Sequence, residues 1–353
     1  MNIVDLLDKS ISLEASDIHI TVGIPAMARI KGKFIKLSEE IVTQQQIKIM
    51  LEKIANKKIL SKIETNGECD FSTSIPSGYR FRVNAYKQKG HYAIALRVIA
   101  SEIPDFNSLG LPKILKTFTE KNKGLVLVTG PTGSGKSTTL ASLIDIINTN
   151  RQSHIITIED PIEYVHNHKN SIVSQREIGH DTKDFNSALK SILRQDPDVI
   201  LIGEMRDPET ISVALTAAET GHLVFSTLHT IGAAKTIDRI IDSFAPEQQQ
   251  QIRMQLSTVI EGVVSQQLIP TSDGQGRVAA FEVMTSTSAI RNLIREGKNH
   301  QIQSSIQTGM NFGMQTMDQD LIKLYKQGKI SREMILSRCN YYDFTSKSIV
   351  NTY

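Results

Sequence analysis

Gly130-Pro131-Thr132-Gly133-Ser134-Gly135-Lys136-Ser137, followed by Thr138, fits the pattern G-x-x-x-x-G-K-[ST]. Such a run wraps an anion. Its glycines let the backbone approach a phosphate closely, so that amide N–H groups and the positive end of the following helix face the negative charge. In this arrangement Lys136 reaches the β- and γ-phosphates of a nucleoside triphosphate, and Ser137 offers its hydroxyl to Mg²⁺. Residues Gly130 to Thr138 are the expected nucleotide cradle.

Hydrolysis requires in addition a carboxylate that orients the attacking water and a second acidic group near the metal. Two acidic clusters follow apolar runs: Glu159-Asp160-Pro161-Ile162-Glu163, and Gly203-Glu204 behind Val199 to Ile202. In a parallel sheet the strand ends on the side of the phosphate loop are where ligands bind, so both clusters are placed to reach the γ-phosphate. Glu204 is assigned to the Mg²⁺ shell through a water, as a Walker-B element with Glu in place of the commoner Asp. Glu163 is preferred to Glu159 as the water-orienting base. The competing structural role for either cluster is capping a helix or pairing with a surface cation.

Three further groups qualify on residue type. His222 and His229 flank the run Leu223 to Phe225, and a histidine at a strand end serves as a structural hydrogen-bonder as readily as a sensor. Neither has neighbours at metal-ligand spacing. Arg80, Arg82 and Asn84 alternate with Phe81, Val83 and Ala85, which puts Arg82 on the polar face of a strand; Arg97 occupies the same position between Leu96 and Val98. Two guanidinium groups on neighbouring strands suit a phosphate held by another domain or subunit, or are solvated or internally paired.

The elements that hold these residues fall into two patterns. Up to about residue 100 strands and helices mix without strict alternation. Ile3, Leu6, Leu7 and Ile11 recur at helical spacing, Ile18, Ile20 and Val22 alternate with polar residues, and Lys31-Gly32 punctuates a hairpin. Thr43 and Gln46 have capping-box spacing ahead of a helical stripe. Phe71 to Ile99 reads as an antiparallel meander. Pro104, Gly110 and Pro112 mark a linker over 101–112.

From Gly124 buried strands alternate with helices: Leu125 to Val128, Ile155 to Ile158, Val199 to Ile202 and Leu223 to Phe225. Between the last two, Asp207 caps a helix that has Pro208 at its first position and Gly221 at its close. Successive β-helix-β units predict an α/β domain with a mainly parallel sheet covered on both faces. Beyond about Pro246 the pattern predicts mostly helix, apart from a short strand at Val278 to Val283.

The 353 residues suffice for two buried cores, and 40% hydrophobic with 22% charged residues is a globular composition. A net charge of +3 without a block of like charges argues against nucleic-acid binding and against a polybasic membrane anchor. Cys69 and Cys339 lie too far apart in the chain for a CxxC zinc site or a disulfide framework. Asp5 and Asp8 interrupt the N-terminal apolar residues, so no signal peptide is expected, and no run of about 18 apolar residues predicts a membrane span.

Taken together the motifs resemble the secretion-ATPase superfamily of P-loop motors and, within it, the type IV pilus retraction ATPases. GPTGSGKST from Gly130, ITIEDPIEYVH from Ile156, DPDVILIGEMRD from Asp196 and TGHLVFSTLHT from Thr220 are similar to that family's Walker A, Asp box, Walker B and His box, in the usual order. RFRVNAY from Arg80 resembles its arginine-bearing strand, and ASDIHI from Ala15 its N-terminal signature. The resemblance implies a PAS-like α+β domain over 1–100 and a RecA-like ATPase domain with a helical C-terminal region over 113–353. It also implies a homohexamer that binds ATP and Mg²⁺ between the two domains.

In that family the positions matching Arg82 and Arg97 act as phosphate-facing fingers, the position of Glu163 activates water, and Glu204 and His229 match the Walker-B and His-box positions. The implied partner is an inner-membrane platform protein at the inner face of the cytoplasmic membrane, with the pilin fibre acted on indirectly. Pilus-extension and type II secretion ATPases share all four motifs and remain the alternative. Retraction is favoured by a chain that begins at the PAS-like region, by the lack of paired CxxC elements, and by AIRNLIREGKNHQI, Ala289 to Ile302, which resembles a retraction signature. Without the resemblance this last segment reads as a docked amphipathic helix.

Overall fold

The computed structural model describes residues 2–99 and 102–339. Position 101 of the expected linker and the final stretch 340–353 of the expected ATPase domain lie outside the described residues. The chain divides into two compact units, one of 1–102 with 163–165 and one of 103–162 with 166–353.

In the first unit the elements are α1 (Ile3–Ser12), β1 (Asp17–Thr21), β2 (Pro25–Ile30), β3 (Lys33–Ile41), α2 (Gln44–Ile54), α3 (Lys57–Asn66), β4 (Glu68–Ser74), β5 (Arg80–Gln88) and β6 (His91–Ile99). The six strands form one antiparallel sheet in the order β3-β2-β1-β6-β5-β4. Lys31 and Gly32, at φ +47° and +83°, make the β2–β3 turn the sequence predicts. The predicted capping box is present too: Thr43 Oγ1 accepts from Gln46 N–H while Gln46 Oε1 accepts from Thr43 N–H. Strand periodicity then sorts the faces. Ile18, Ile20, Ala28, Phe81, Val83 and Leu96 are buried in one cluster with Ile3, Leu7, Ile47 and Met50 from the helices. The other face carries Asp17, Arg29, Arg82 and Arg97.

The second unit comprises α4 (Leu115–Thr119), β7 (Gly124–Thr129), α5 (Lys136–Asn150), β8 (His154–Glu159), β9 (Ile172–Glu177), α6 (Phe185–Ile192), β10 (Val199–Ile202), α7 (Pro208–Glu219), β11 (Leu223–Leu228), α8 (Ala233–Asp242) and α9 (Pro246–Val259). It continues through β12 (Ile260–Pro270), β13 (Arg277–Thr285), α10 (Ser288–Arg295), α11 (Ile302–Thr308), α12 (Met317–Lys326) and α13 (Arg332–Arg338). Its sheet runs β13-β12-β7-β11-β10-β8-β9, parallel from β12 to β9 with β13 antiparallel at the edge.

Continuous apolar strands follow from burial on both faces. Leu125 and Leu127 of β7 enter one core with residues of α6 to α11, whereas Val126 and Val128 enter another with α4 and α5. Phe106 and Leu111 are buried in this second core, so the Pro- and Gly-bearing stretch before α4 packs onto the second unit. The predicted cap of α7 is formed, with Asp207 Oδ1 accepting from Thr210 N–H at 2.8 Å. Among the described residues no helix is long and apolar enough to cross a membrane.

One expectation is corrected. The stretch after Pro246 does not contain a single short strand; it contains an eleven-residue strand, β12, paired along its length with β13. Ser265, Gln266 and Gln267 broke the apolar run in the sequence, yet all three are buried, because β12 lies directly against β7 and the loop that follows it.

Candidate active site

The phosphate loop leaves the C-terminal end of β7, a strand with no exposed residue, and delivers its last residues into the first turn of α5. Gly130 adopts φ +142°, and a Cβ there would lie 2.3 Å from the backbone oxygen of Gln266. At Gly135, φ +89°, a Cβ would meet the Gln266 side chain at 2.8 Å. β12 is thus pressed so closely under the loop that neither position admits a side chain. Thr139 Oγ1 donates to Gln266 Oε1 at 2.7 Å and ties α5 to the same strand.

Lys136 is buried at the start of α5 and curls over the loop, its Nζ donating to the carbonyls of Gly130 at 2.9 Å and Pro131 at 3.1 Å. The hydroxyls of Ser134 and Thr129 are buried here without a hydrogen-bond partner among the described residues. A buried ammonium, an unsatisfied hydroxyl and the N-terminus of a fifteen-residue helix converge on one loop, a donor set that suits a polyphosphate. Ser137 and Thr138 occupy the first turn, half-buried.

Glu204 follows β10 and is fixed from both sides by backbone contacts. Gly203 N–H donates to Ile158 O at 2.8 Å, Thr227 Oγ1 donates to Gly203 O at 2.6 Å, and Met205 N–H donates to Thr227 O at 3.1 Å. The Glu204 carboxylate is 14% exposed; Oε1 pairs with Arg206, and Oε2 lies 3.3 Å from His229 Nε2. His229 Nδ1 in turn lies 3.4 Å from Thr132 Oγ1 in the phosphate loop. A carboxylate only accepts, so Nε2 carries the proton and, in the neutral ring, Nδ1 accepts from the Thr132 hydroxyl. Thr132, His229, Glu204 and Arg206 form one connected polar line across the ends of three elements.

The other predicted residues are placed differently. Glu159 sits at the end of β8, where its Oε1 accepts from Thr157 Oγ1 at 2.7 Å and Gln175 Nε2 at 3.2 Å. Glu163 is exposed and belongs to the first unit. His222 is at the opposite end of β11 from His229, its Nδ1 donating to Ala217 O at 2.9 Å, a structural role.

In the first unit Arg82 and Arg97 are directly opposite on β5 and β6, both exposed. Arg97 Nε donates to Asp17 Oδ1 at 2.9 Å. Burial raises the pKa of Asp17, but hydrogen bonds from Ser16 and Arg97 outweigh it and hold the carboxyl below its ordinary range. Arg29 faces Asp17 from β2, so three arginines share one cross-strand row.

Gln266, Arg206 and the pairing of His229 with Glu204 were not foreseen from the sequence. Gln266 had a visible signal, a polar triplet inside an apolar run; Arg206 lies only two positions from its partner Glu204, whereas the pairing of His229 with Glu204 joins residues 25 positions apart.

Comparison with known proteins is consistent with this arrangement. Residues 2–336 match the family model described as type II/IV secretion system protein. The chain is 49% identical over 333 residues to the type IV pilus retraction ATPase PilT of Pseudomonas aeruginosa, covering 94% of this chain and 96% of that protein. It is 48% identical over 327 residues to a twitching motility protein of Neisseria gonorrhoeae, covering 91% and 87%. A crystal structure of the pilus retraction motor PilT with bound ADP superposes with a TM-score of 0.92 at 48% identity, over 98% of this chain and 99% of that one. The α/β core and the smaller α+β unit expected from the sequence are both present.

Proposed function

The chain belongs to the type II/IV secretion system protein family, and on that footing we propose that it is an ATP-hydrolysing motor that powers retraction of type IV pili. The observation that carries the reading is the phosphate loop itself, with Lys136 held over it and Ser134 unsatisfied inside it. A relative of 48% identity and matching length, a pilus retraction motor, was solved with ADP bound.

In the proposed mechanism Gly130 to Thr138 hold the triphosphate through backbone N–H groups, and Lys136 exchanges its loop carbonyls for phosphate oxygens. Ser137 and, through a water, Glu204 would hold Mg²⁺, which when bound would supply positive charge beside the phosphate oxygens. Glu163 orients the attacking water, and His229 reports between the phosphate loop and Glu204. Glu159 is the weaker candidate base, because its Oε1 is already engaged by Thr157 Oγ1 and Gln175 Nε2. Arg82 and Arg97 present guanidinium groups to the transferring phosphate from another domain or subunit.

The working assembly in this reading is a homohexamer with a 1–100 domain and a 113–353 ATPase domain joined by 101–112. It docks on an inner-membrane platform protein at the inner face of the cytoplasmic membrane, binds no nucleic acid and spans no membrane. Opening and closing of the two domains around nucleotide is the stroke, and pilin subunits are withdrawn indirectly through the platform.

Phosphate release by the purified chain with ATP and Mg²⁺ tests the catalytic part. Glu163→Gln should bind ATP and turn it over about 100-fold or more slowly, whereas Glu159→Gln should retain most of the activity. The reverse ranking would move the base to Glu159.

A further inference from the structure

The loop carrying His229 ends at Gly232, which has no side chain with which to cap the helix it opens, α8. The first N–H groups of that helix therefore need acceptors from elsewhere. They are supplied by the edge hairpin of the sheet. Glu282 Oε1 accepts from Ala233 N–H at 2.8 Å, and Ser265 Oγ accepts from Gly232 N–H at 2.9 Å. Ser265 and Glu282 are direct cross-strand partners on β12 and β13, and Ser265 also pairs with Thr129 of β7, which pairs with Leu228 of β11. Leu228, Thr129, Ser265 and Glu282 thus form one transverse row, and the His229 loop and the phosphate loop leave from its first two members.

Glu282 is 1% exposed, and among the described residues no cation pairs with it. Among the described residues its partners are the Ala233 amide and, at Oε2, Gln303 Nε2 of α11 at 3.2 Å. A buried carboxylate without a counter-cation is costly, and here the positive end of α8 stands in for one. A pure packing role would be served by an apolar residue of similar volume. Thr236 Oγ1 closes the loop from the helix side, donating to Gly232 O at 2.8 Å and lying 2.7 Å from Thr230 Oγ1.

We infer that Glu282, with Ser265, is a positioning residue for ATP hydrolysis: the pair anchors the N-terminus of α8 and thereby sets the distance of His229 from Glu204 and from Thr132. The anchor is three residues from His229, too short a tether to absorb a shift of the helix end. Loss of it displaces an imidazole whose two contacts, at 3.3 and 3.4 Å, have no slack. This inference rests on the proposed role of His229 in turnover.

The test is a double-mutant cycle on the full-length protein, with ATPase kcat and KM, ADP affinity and thermal melting read for Glu282→Ala, Glu282→Gln, Ser265→Ala, His229→Ala and each of the first three combined with His229→Ala. The expected result is a kcat about 10-fold lower in Glu282→Ala with KM and ADP affinity within about 2-fold, and partial recovery in Glu282→Gln, which keeps an acceptor for Ala233. In the His229→Ala background Glu282→Ala should cost less than about 2-fold further, because its effect runs through the missing ring.

If Glu282→Ala fails to melt cooperatively, Ser265→Ala decides, with an expected kcat loss of about 3-fold that likewise vanishes without His229. Equal losses with and without His229, or a folded Glu282→Ala with wild-type kcat, overturn the inference alone. A wild-type kcat in His229→Ala itself overturns the reading of His229, and the inference with it.

Discussion

His229 stands between two parts of the nucleotide site: its Nε2 lies 3.3 Å from Glu204 Oε2 and its Nδ1 lies 3.4 Å from Thr132 Oγ1. Through these two contacts the imidazole links the phosphate loop to Glu204. Removing it in His229→Ala should lower kcat by about 10- to 100-fold and leave the KM for ATP nearly unchanged, because neither contact holds the nucleotide. Steady-state phosphate release at saturating and limiting ATP separates the two parameters; a raised KM with normal kcat would assign His229 to binding.

Gly130 tests how tightly β12 is packed beneath the loop. With φ at +142° and the Gln266 oxygen 2.3 Å from a Cβ, Gly130→Ala must displace either the strand or the loop. The expected cost is about 1–3 kcal/mol of stability, with loss of nucleotide affinity greater than the stability loss alone accounts for. Thermal melts with and without ADP measure both; an unchanged melting temperature and an unchanged ADP shift would mean that the loop relaxes freely.

His166 predicts a pH dependence. The ring is 7% exposed and its Nδ1 has no partner among the described residues. Burial lowers its pKa from 6.5 to about 4, only partly countered by Asp145. The folded state therefore holds His166 neutral where the unfolded chain begins to protonate it. As pH falls from about 6.5 to about 4 the unfolded state binds the extra proton, and stability declines by an amount on the order of 3 kcal/mol. Above pH 6.5 the group contributes no slope. Urea midpoints between pH 7 and pH 4.5 should fall less steeply in His166→Asn than in the wild type; parallel slopes would place the acid sensitivity elsewhere.

What the sequence disclosed and what it withheld divide along the range of the interactions involved. The phosphate loop, the Asp207–Pro208 start of α7 and the Thr43–Gln46 capping box are set by residues within a few positions of each other, and each forms as read. The runs Leu125 to Val128, Val199 to Ile202 and Leu223 to Phe225 within β7, β10 and β11 were legible because burial on both faces keeps them apolar. β12 was not, since Ser265 and Gln266 are polar for reasons supplied by α8 and by α5.

The same holds for the site. Glu204 and His229 were each identified at a strand end, but their contact exists because β10 and β11 are parallel neighbours with Ile202 opposite Ser226. The cap that Glu282 provides for α8 joins residues 49 positions apart, with nothing in either segment to announce it.

The central claim is that this chain uses ATP to withdraw pili, and the direction of the motor is tested most directly by counting surface pili in cells of the encoding organism that carry Lys136→Ala. Lys136 is the buried amine over the phosphate loop, so its loss should stop ATP turnover, by about 100-fold or more, without removing the rest of the chain. Retraction predicts excess pili together with lost surface motility. Bald cells would contradict it and make the protein an assembly motor.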